Sequence, residues 1–238
     1  MSFSFKQFTI EQSKTAMKVG TDGVLLGAWC DLPSNLDAKI LDIGTGTGLI
    51  AIMAAQRSPL AVVDAIEIDK MAFEQAVENS QKSPFSSRIN IYHTSLQNYS
   101  PVDNYLYDTI ICNPPFFVNS LKNPDSARST ARHTDTLSFN DLITHSFRLL
   151  KDNGILSVIL PTVEGNQFIE LAKSSGFIVT RTTNIHPTVG AETKRLLIEL
   201  QKNSVPISIE ERHLTIEISR HQYTEEYIAL TRDFYLKH

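Results

Sequence analysis

The stretch Ile40-Leu41-Asp42-Ile43-Gly44-Thr45-Gly46-Thr47-Gly48 decides the fold of this chain. It begins as a short apolar run that carries one acid, and it ends with glycine at every second position. The segment 49–55 that follows is apolar with helical spacing. Because glycine lets the backbone turn tightly and lets a ligand approach closely, we predict a strand, a tight turn and a helix.

Strand-like and helix-like segments alternate after this turn. The predicted strands lie at 40–43, 60–67, 88–92, 107–112, 155–160, 177–185 and 195–202, and the predicted helices at 49–55, 70–80, 139–150 and 165–175. Such alternation is typical of βαβ units. The last two strands have no helix between them, which indicates an antiparallel edge pair. We therefore predict an α/β fold with a mostly parallel seven-stranded sheet.

The composition suits one domain. Of the 238 residues, 42% are hydrophobic, which is enough for the core of a single α/β domain. We expect this domain to span 1–238, with an N-terminal segment at 1–38, the core at 39–202 and a C-terminal extension at 203–238. Neither a signal peptide nor a membrane-spanning apolar run is visible, so a cytoplasmic location is expected. Cys30 and Cys112 are expected to be reduced core residues.

The charge and the polar residues limit the classes of partner. The formal net charge is −4, whereas dedicated nucleic-acid-binding proteins are usually basic. A large electrostatic footprint on RNA or DNA is therefore not expected, although a local basic face is compatible with this charge. No Cys/His spacing indicates a metal site. We expect a monomer or a weak homo-oligomer.

The glycine turn is the first candidate site, because ligands on open α/β sheets bind outside the carboxyl ends of the strands. Its G-x-G-x-G spacing after Asp42 is more compressed than the G-x-G-x-x-G of dinucleotide-binding proteins. This form resembles the S-adenosylmethionine loop of class I methyltransferases. The resemblance implies that Gly44, Gly46 and Gly48 shape the loop and that Asp42 faces the cofactor's ammonium group directly or through water. The alternative is an ordinary tight turn.

Two further strand ends belong to the candidate cofactor site. Glu67 ends the second predicted strand, where a carboxylate can accept hydrogen bonds from both ribose hydroxyls. The alternative is a solvated strand-end acid. In many class I methyltransferases an acid after the third strand contacts the adenine amine. The matching stretch here, 93–96, has no acid, and Ser95 is the candidate substitute.

Asn113-Pro114-Pro115-Phe116 follows the fourth predicted strand and is the candidate catalytic motif. An exocyclic amine of a base is a poor nucleophile because its lone pair is delocalised into the ring. Two acceptors aimed at its N–H groups favour attack electrostatically, and the Asn113 side-chain oxygen and the Pro114 carbonyl are suited to this. Pro115 holds the preceding residue extended, and Phe116 can stack on a flipped base. Asn113 is also a candidate cofactor contact. The alternative is a proline-rich turn with Phe116 in the core.

Both chain ends carry specific stretches. They are Phe5-Lys6-Gln7-Phe8, the run AMKVGTDGVLLGAW at 16–29, Tyr223-Thr224-Glu225-Glu226-Tyr227, and Leu230-Thr231-Arg232-Asp233-Phe234-Tyr235. With the two motifs above, they resemble the bacterial valine tRNA (adenine-37, N6-) methyltransferase family. The resemblance implies a Rossmann-like fold, S-adenosylmethionine as methyl donor, and transfer to N6 of adenine 37 beside the anticodon. It also implies that Lys18, Thr21 and Asp22 lie near the cofactor.

Several basic residues are candidates for contacts with tRNA. They are Lys122, Arg128, Arg132 and His133 in the loop after the catalytic motif, and Lys194 and Arg195 at a late strand start. Such loops often carry binding residues, and basic side chains there can meet phosphates. The alternative is a solvated charged surface.

Three other functions stay open at this point. Protein glutamine N5-methyltransferases usually carry Tyr in place of Phe116 and a helical N-terminal domain. Ribosomal RNA adenine or guanine N-methyltransferases also fit the motif, although the guanine-N2 enzymes commonly have a duplicated domain. A cofactor-binding scaffold without catalysis would not need Asn113.

Overall fold

The computed structural model describes residues 2–114, 137–203 and 208–237. Its strands are β1 (Ser2–Ser4), β2 (Thr9–Glu11), β3 (Lys39–Ile43), β4 (Val62–Glu67), β5 (Ile89–His93), β6 (Tyr107–Cys112), β7 (Leu150–Pro161), β8 (Phe177–Thr188), β9 (Arg195–Lys202), β10 (Glu210–Ser219) and β11 (Gln222–Tyr223). Its helices are α1 (Thr21–Trp29), α2 (Leu49–Arg57), α3 (Lys70–Lys82), α4 (Phe139–Leu149), α5 (Thr162–Ser174) and α6 (Glu225–Thr231).

Within the described residues, the central sheet has nine strands in the order β11-β10-β8-β9-β7-β6-β3-β4-β5. The strands β3 to β7 pair with one another in parallel. β9 lies antiparallel between β7 and β8. The predicted mostly parallel α/β sheet with its antiparallel pair is thus confirmed for the seven strands β3 to β9.

Two strands beyond these seven come from the segment predicted as a C-terminal extension. β10 runs parallel to β8, and β11 pairs antiparallel with β10. The sequence did not indicate β10 because most of its residues are exposed or half-buried and many are charged. Charged side chains are common on strands near a sheet edge, and they mask the apolar alternation on which a strand prediction depends.

Helices cover both faces of the sheet, so the inner strands read as almost continuous apolar runs. Neighbouring residues of β3 point to opposite faces. Ile40 belongs to a buried cluster that includes residues of α1 and α2. Leu41 belongs to a second cluster, with residues of α4 and α5.

The two chain ends pack against each other and against the first of these clusters. Phe5 forms an antiparallel bridge to Tyr235, and the Lys6 amide donates to the Phe234 carbonyl at 2.8 Å. From there the N-terminal segment crosses α3, where Glu11 pairs with the side chain of Asn79. This path brings residues 14–17 to the carboxyl edge of the sheet.

None of the described helices is both long enough and apolar enough to cross a membrane. The described ranges also contain no group of three or more His, Cys, Asp or Glu side chains arranged to hold a metal ion.

Candidate active site

A cavity of about 860 Å³ lies at the carboxyl ends of β3, β4, β5 and β6. This is the edge at which open α/β sheets bind ligands. Its walls come from the N-terminal segment, the glycine turn, the start of α3, the loop after β5 and the end of β6. The lining residues are 14–17, Ile43, Gly44, Gly46, 66–69, Met71, Ala72, 94–98, Cys112, Asn113 and Leu137.

The glycine turn forms one wall. Gly44 and Gly46 line the cavity and have φ values of 68° and 57°, a left-handed conformation that favours glycine. Gly48 has φ 82° and lies against α3, where a Cβ would come within 3.4 Å of the Ala76 backbone. The predicted glycines therefore divide between two tasks: Gly44 and Gly46 leave room for a ligand, and Gly48 lets α2 begin close to α3.

Asp42 supports this turn from beneath. Its side chain is 1% exposed and does not line the cavity. Oδ2 accepts hydrogen bonds from the Thr45 hydroxyl at 2.6 Å and from the Ala51 amide at 3.1 Å. Oδ1 is buried and has no hydrogen-bond partner among the described residues. Burial raises the pKa of the Asp42 carboxyl to about 7, against the opposing hydrogen bonds from Thr45 and Ala51.

Glu67 ends β4 and fastens two walls of the cavity together. Oε2 accepts from the Gly46 amide at 2.8 Å, and Oε1 accepts from the Asp69 amide at 2.9 Å. Each carboxylate oxygen can accept a further hydrogen bond, so both stay able to receive the hydroxyls of a ribose. Asp69 also lines the cavity and caps α3, since its Oδ1 accepts from the Ala72 amide at 2.8 Å.

The loop after β5 forms another wall of the cavity. Its start is fixed because the Thr94 amide donates to the Glu67 carbonyl at 3.0 Å. Ser95 lines the cavity, and its hydroxyl accepts from the Asn98 amide at 3.4 Å. Gln97 and Asn98 also line this wall. The loop therefore carries amide groups close to the place where many class I methyltransferases have an acid.

The sequence reasoning missed an apolar part of the cavity. Met17, Ile68 and Met71 line it although they are 54%, 48% and 48% exposed, and Leu96 lines it as a buried residue. Exposed apolar side chains grouped around a cavity are suited to a flat apolar ligand surface. One signal was available in the sequence, because Ile68 stands between two acids at a strand end.

Asn113 lies at the end of β6, on the cavity wall. Its Oδ1 is buried and has no hydrogen-bond partner among the described residues. Its Nδ2 would be 4.0 Å from a Cβ placed on Gly23, so α1 passes close to this side chain. Pro114 is buried behind it. The predicted catalytic residues Pro115 and Phe116 lie outside the described residues.

Cys112 precedes Asn113 and also lines the cavity. Burial raises the pKa of its thiol well above the ordinary value, with a further rise from the nearby Asp42 and Glu67. A protonated thiol is a poor nucleophile, which agrees with the interpretation of Cys112 as a strand residue.

The N-terminal residues that the resemblance assigned to the cofactor take other positions. Lys18 Nζ donates to the carbonyl oxygens of Gln12 and Thr15, each at 2.6 Å, and so closes the turn that carries 14–17. Thr21 begins α1. Neither Lys18 nor Thr21 lines the cavity, and the contribution of this segment comes from 14–17 instead.

The predicted RNA-binding residues are only partly described. Arg195 forms an ion pair with Asp22, with Nε 2.8 Å from Oδ2, which joins the start of β9 to the start of α1. The Lys194 amide donates to the Ile185 carbonyl at 2.9 Å. Lys194 directly precedes Arg195 and so lies beside it at the start of β9. Lys122, Arg128, Arg132 and His133 lie outside the described residues.

Solved structures similar to this chain include proteins described as methyltransferases. A protein described as a predicted O-methyltransferase from Agrobacterium tumefaciens has a TM-score of 0.67 at 22% identity, over 90% of this chain and 96% of its own. A precorrin-6y C5,15-methyltransferase from Geobacter metallireducens has a TM-score of 0.54 at 18% identity, over 79% and 93%. At these identities the similarity shows the Rossmann-like methyltransferase fold alone.

The sequence comparisons are more specific. The model of the methyltransferase small domain family matches residues 20–176. The tRNA1(Val) (adenine(37)-N6)-methyltransferase of Parabacteroides distasonis is 50% identical over 99% of this chain and 98% of its own length. The protein of the same name from Flavobacterium psychrophilum is 48% identical over 99% of both. The resemblance inferred from the chain ends and the two motifs is thereby confirmed: the chain belongs to the tRNA1(Val) (adenine(37)-N6)-methyltransferase family.

Proposed function

We propose that this protein transfers a methyl group from S-adenosylmethionine to the exocyclic N6 of adenine 37 in tRNA1(Val). The observation that carries the proposal is the buried Oδ1 of Asn113 on the wall of the cavity, which has no hydrogen-bond partner in the described part of the chain. A buried acceptor without a partner costs free energy, so its retention is explained if a substrate N–H completes it. The names of the full-length relatives supply the substrate.

The cavity is suited to S-adenosylmethionine in each of its parts. Glu67 offers an acceptor on each carboxylate oxygen for the ribose hydroxyls. Ile68, Met71 and Leu96 offer apolar contact to an adenine ring, and the amides of Gln97 and Asn98 offer polar contact at its edge. Gly44 and Gly46 leave space for the amino-acid end. Oδ1 of Asp42, which has no partner within residues 2–114, 137–203 and 208–237, can receive a hydrogen bond from water or from the ammonium group.

Asn113 acts on the acceptor amine. Its Oδ1 accepts one N–H of the adenine N6 group, and the Pro114 carbonyl is positioned in sequence to accept the other. These acceptors draw the nitrogen towards a tetrahedral form and stabilise the positive charge that develops on it. The sulfonium cofactor supplies the electrophilic methyl group. On transfer, the acceptor nitrogen would gain this methyl group in place of the cofactor's sulfur, and the methylated amine would release one proton to water.

The target base must leave its stack to reach this wall, since enzymes that act on a base flip it into a pocket. We propose that Phe116 stacks on the flipped adenine and that Lys122, Arg128, Arg132 and Lys194 contact phosphates near it. Arg195 is proposed to act with them at the α1 edge through its position beside Asp22. Because the proposed substrate is a tRNA, we place the protein in the cytoplasm. We also propose that it is a monomer or a weak homo-oligomer.

The proposal is tested with labelled S-adenosylmethionine and three acceptors in parallel. These are total tRNA from a strain lacking the gene for this protein, ribosomal RNA, and a bacterial release factor. We expect N6-methyladenosine in tRNA alone after nucleoside analysis. Label in ribosomal RNA or in the release factor would instead support the alternative substrates. Binding of S-adenosylhomocysteine with no label in any acceptor would support a scaffold without catalysis.

A further inference from the structure

Two amide side chains on α3 are almost completely buried. Gln75 and Asn79 are each 1% exposed and lie one helical turn apart, on the same face. Burying an amide is unfavourable unless it is hydrogen-bonded. The partners of these two amides lie largely outside α3, on the N-terminal segment and on the glycine turn.

Asn79 joins two walls of the cavity. Its Nδ2 donates to the Glu11 carbonyl and to the Thr47 carbonyl, each at 2.8 Å. Its Oδ1 accepts from the Glu11 amide at 2.9 Å. Thr47 belongs to the glycine turn and Glu11 to the N-terminal segment, so one side chain sets the spacing between them.

Gln75 holds the next residues of the N-terminal segment. Its Oε1 accepts from the Lys14 amide at 3.3 Å and from the Ser13 hydroxyl at 3.4 Å. Its Nε2 donates to Glu78 at 3.2 Å, and Glu78 also forms an ion pair with Lys14. Lys14 is therefore attached to α3 through both its backbone and its side chain.

The attached segment, residues 12–19, is here called the strap. Its own contacts make it a compact unit: Lys18 bonds two of its carbonyls, and Gln12 Oε1 accepts from the Val19 amide at 2.8 Å. Residues 14–17 of the strap line the cavity, and Met17 is half-exposed there. Among the described residues, the hydrogen bonds of Ser13 and Lys14 to Gln75 attach the strap to α3 beside the cavity.

We propose that Gln75 and Asn79 are positioning residues for the cofactor: they hold the strap and the glycine turn at the separation that S-adenosylmethionine requires. This inference rests on the proposed function. Neither side chain lines the cavity, so both act through Lys14, Glu11 and Thr47. A preorganised wall loses less entropy on binding. The two amides therefore set the affinity for the cofactor and leave the methyl-transfer step unchanged.

Gln75→Met tests the attachment of the strap with little change in side-chain volume. It removes the acceptor of Lys14 and Ser13, and we expect S-adenosylhomocysteine to bind about tenfold more weakly, the size of one lost hydrogen bond. Gln75→Glu keeps an acceptor for Lys14 and Ser13 but replaces Nε2, the donor to Glu78, by a carboxylate oxygen, so this buried carboxylate should leave binding at least as weak as in Gln75→Met. At saturating cofactor, kcat should be unchanged in both variants.

Asn79→Asp is the second variant. It keeps an acceptor for the Glu11 amide but turns a carboxylate oxygen towards two carbonyls, so it should weaken binding more than Gln75→Met does. Ser58→Ala is the matched control. It removes a buried hydrogen bond to the Pro33 carbonyl at the far end of α2, and it should lower thermal stability without changing cofactor affinity.

Tryptic cleavage after Lys14 and Lys18 reports on the strap directly. We expect S-adenosylhomocysteine to slow this cleavage in the wild type and Gln75→Met to accelerate it. Unchanged affinity in Gln75→Met despite faster cleavage would overturn the inference, as would equal weakening by Ser58→Ala. If the wild type binds the compound but methylates no tRNA, only the proposed function fails. If the wild type does not bind it, both fail.

Discussion

Two walls of the cavity differ in how their polar atoms are used. The wall that carries Glu67 and Asp69, proposed to bind the cofactor, is called the cofactor wall, and the wall that carries Asn113, proposed to bind the substrate amine, is called the acceptor wall. On the cofactor wall, both oxygens of Glu67 already accept backbone amides, and Asp69 caps α3. On the acceptor wall, Oδ1 of Asn113 has no partner among the described residues. The first wall is held in place by the protein itself, whereas the second keeps an acceptor that the substrate amine can complete.

This difference suggests a division of labour. A wall fixed by its own hydrogen bonds determines how tightly the cofactor binds, because little has to be ordered on binding. An acceptor used only during the reaction affects the rate and leaves the affinity unchanged. Variants of the two walls should therefore separate into affinity changes and rate changes.

Asn113→Ala should have the largest effect. Removing one acceptor that stabilises the developing charge is expected to lower kcat by roughly 10²- to 10³-fold. The affinity for S-adenosylhomocysteine, measured by calorimetry, should stay within about twofold, because the lost acceptor acts on the substrate amine. Asn98→Ala is the control, since it removes another amide from the cavity and should keep kcat. A loss of affinity equal to the loss of rate would place Asn113 on the cofactor wall.

Glu67→Gln should have the next largest effect, and this effect should be on the affinity for the cofactor product and not on kcat. It replaces one carboxylate oxygen by an NH₂ group that cannot accept from Gly46 or Asp69. We expect the affinity for S-adenosylhomocysteine to fall roughly 10- to 100-fold, as for a lost hydrogen bond to a charged group. Glu170→Gln, at an exposed position of α5, is the control. If kcat falls while affinity is retained, the two walls do not divide as described.

Gly44 and Gly190 form a matched pair. Their φ values are 68° and 75°, and nothing lies within 4 Å of a Cβ added at either position. Alanine at each should therefore cost a similar unfolding free energy, about 1–2 kcal/mol. Only Gly44 lines the cavity, so only Gly44→Ala should weaken cofactor binding. Equal affinities for the two variants in a calorimetric titration would show that the turn does not contact the ligand.

The effect of Asp42 should appear in the pH dependence of stability. Burial raises its pKa to about 7 in the folded chain, while an unfolded Asp has a pKa of about 3.9. The folded state therefore binds more protons between these values, and stability falls as the pH rises through this range. Relative to Asp42→Asn, the wild type should lose at most about 1.4 kcal/mol per pH unit there. Parallel denaturation profiles between about pH 5 and pH 6 would contradict the raised pKa.

Much of the sheet could be predicted because its inner strands are buried on both faces. The runs that became β3, β4, β6 and β7 are apolar enough to identify without a structure, and the turns after them place Gly44, Glu67 and Asn113 at one edge. β10 could not be predicted in the same way, since its exposed charged residues obscure its pattern. The order of β8 and β9 in the sheet also depends on packing that the sequence does not display.

The strand pattern places Glu67 and Asn113 at strand ends, and both line the cavity, while their roles stay predictions. A lysine near a ligand and a lysine that closes its own backbone turn look the same in sequence, and Lys18 closes such a turn. The tasks of Gln75 and Asn79 depend on partners more than 30 residues away in the chain, so only the folded arrangement could reveal them.

The central claim is that the protein methylates N6 of adenine 37 in tRNA1(Val), and one measurement tests it most directly. Two tRNA1(Val) samples that differ only in carrying adenine or guanine at position 37 are incubated with labelled S-adenosylmethionine and the wild-type protein. We expect label in the adenine sample alone, mapped to position 37 as N6-methyladenosine. Equal labelling of both samples, or label at another adenine, would contradict the claim.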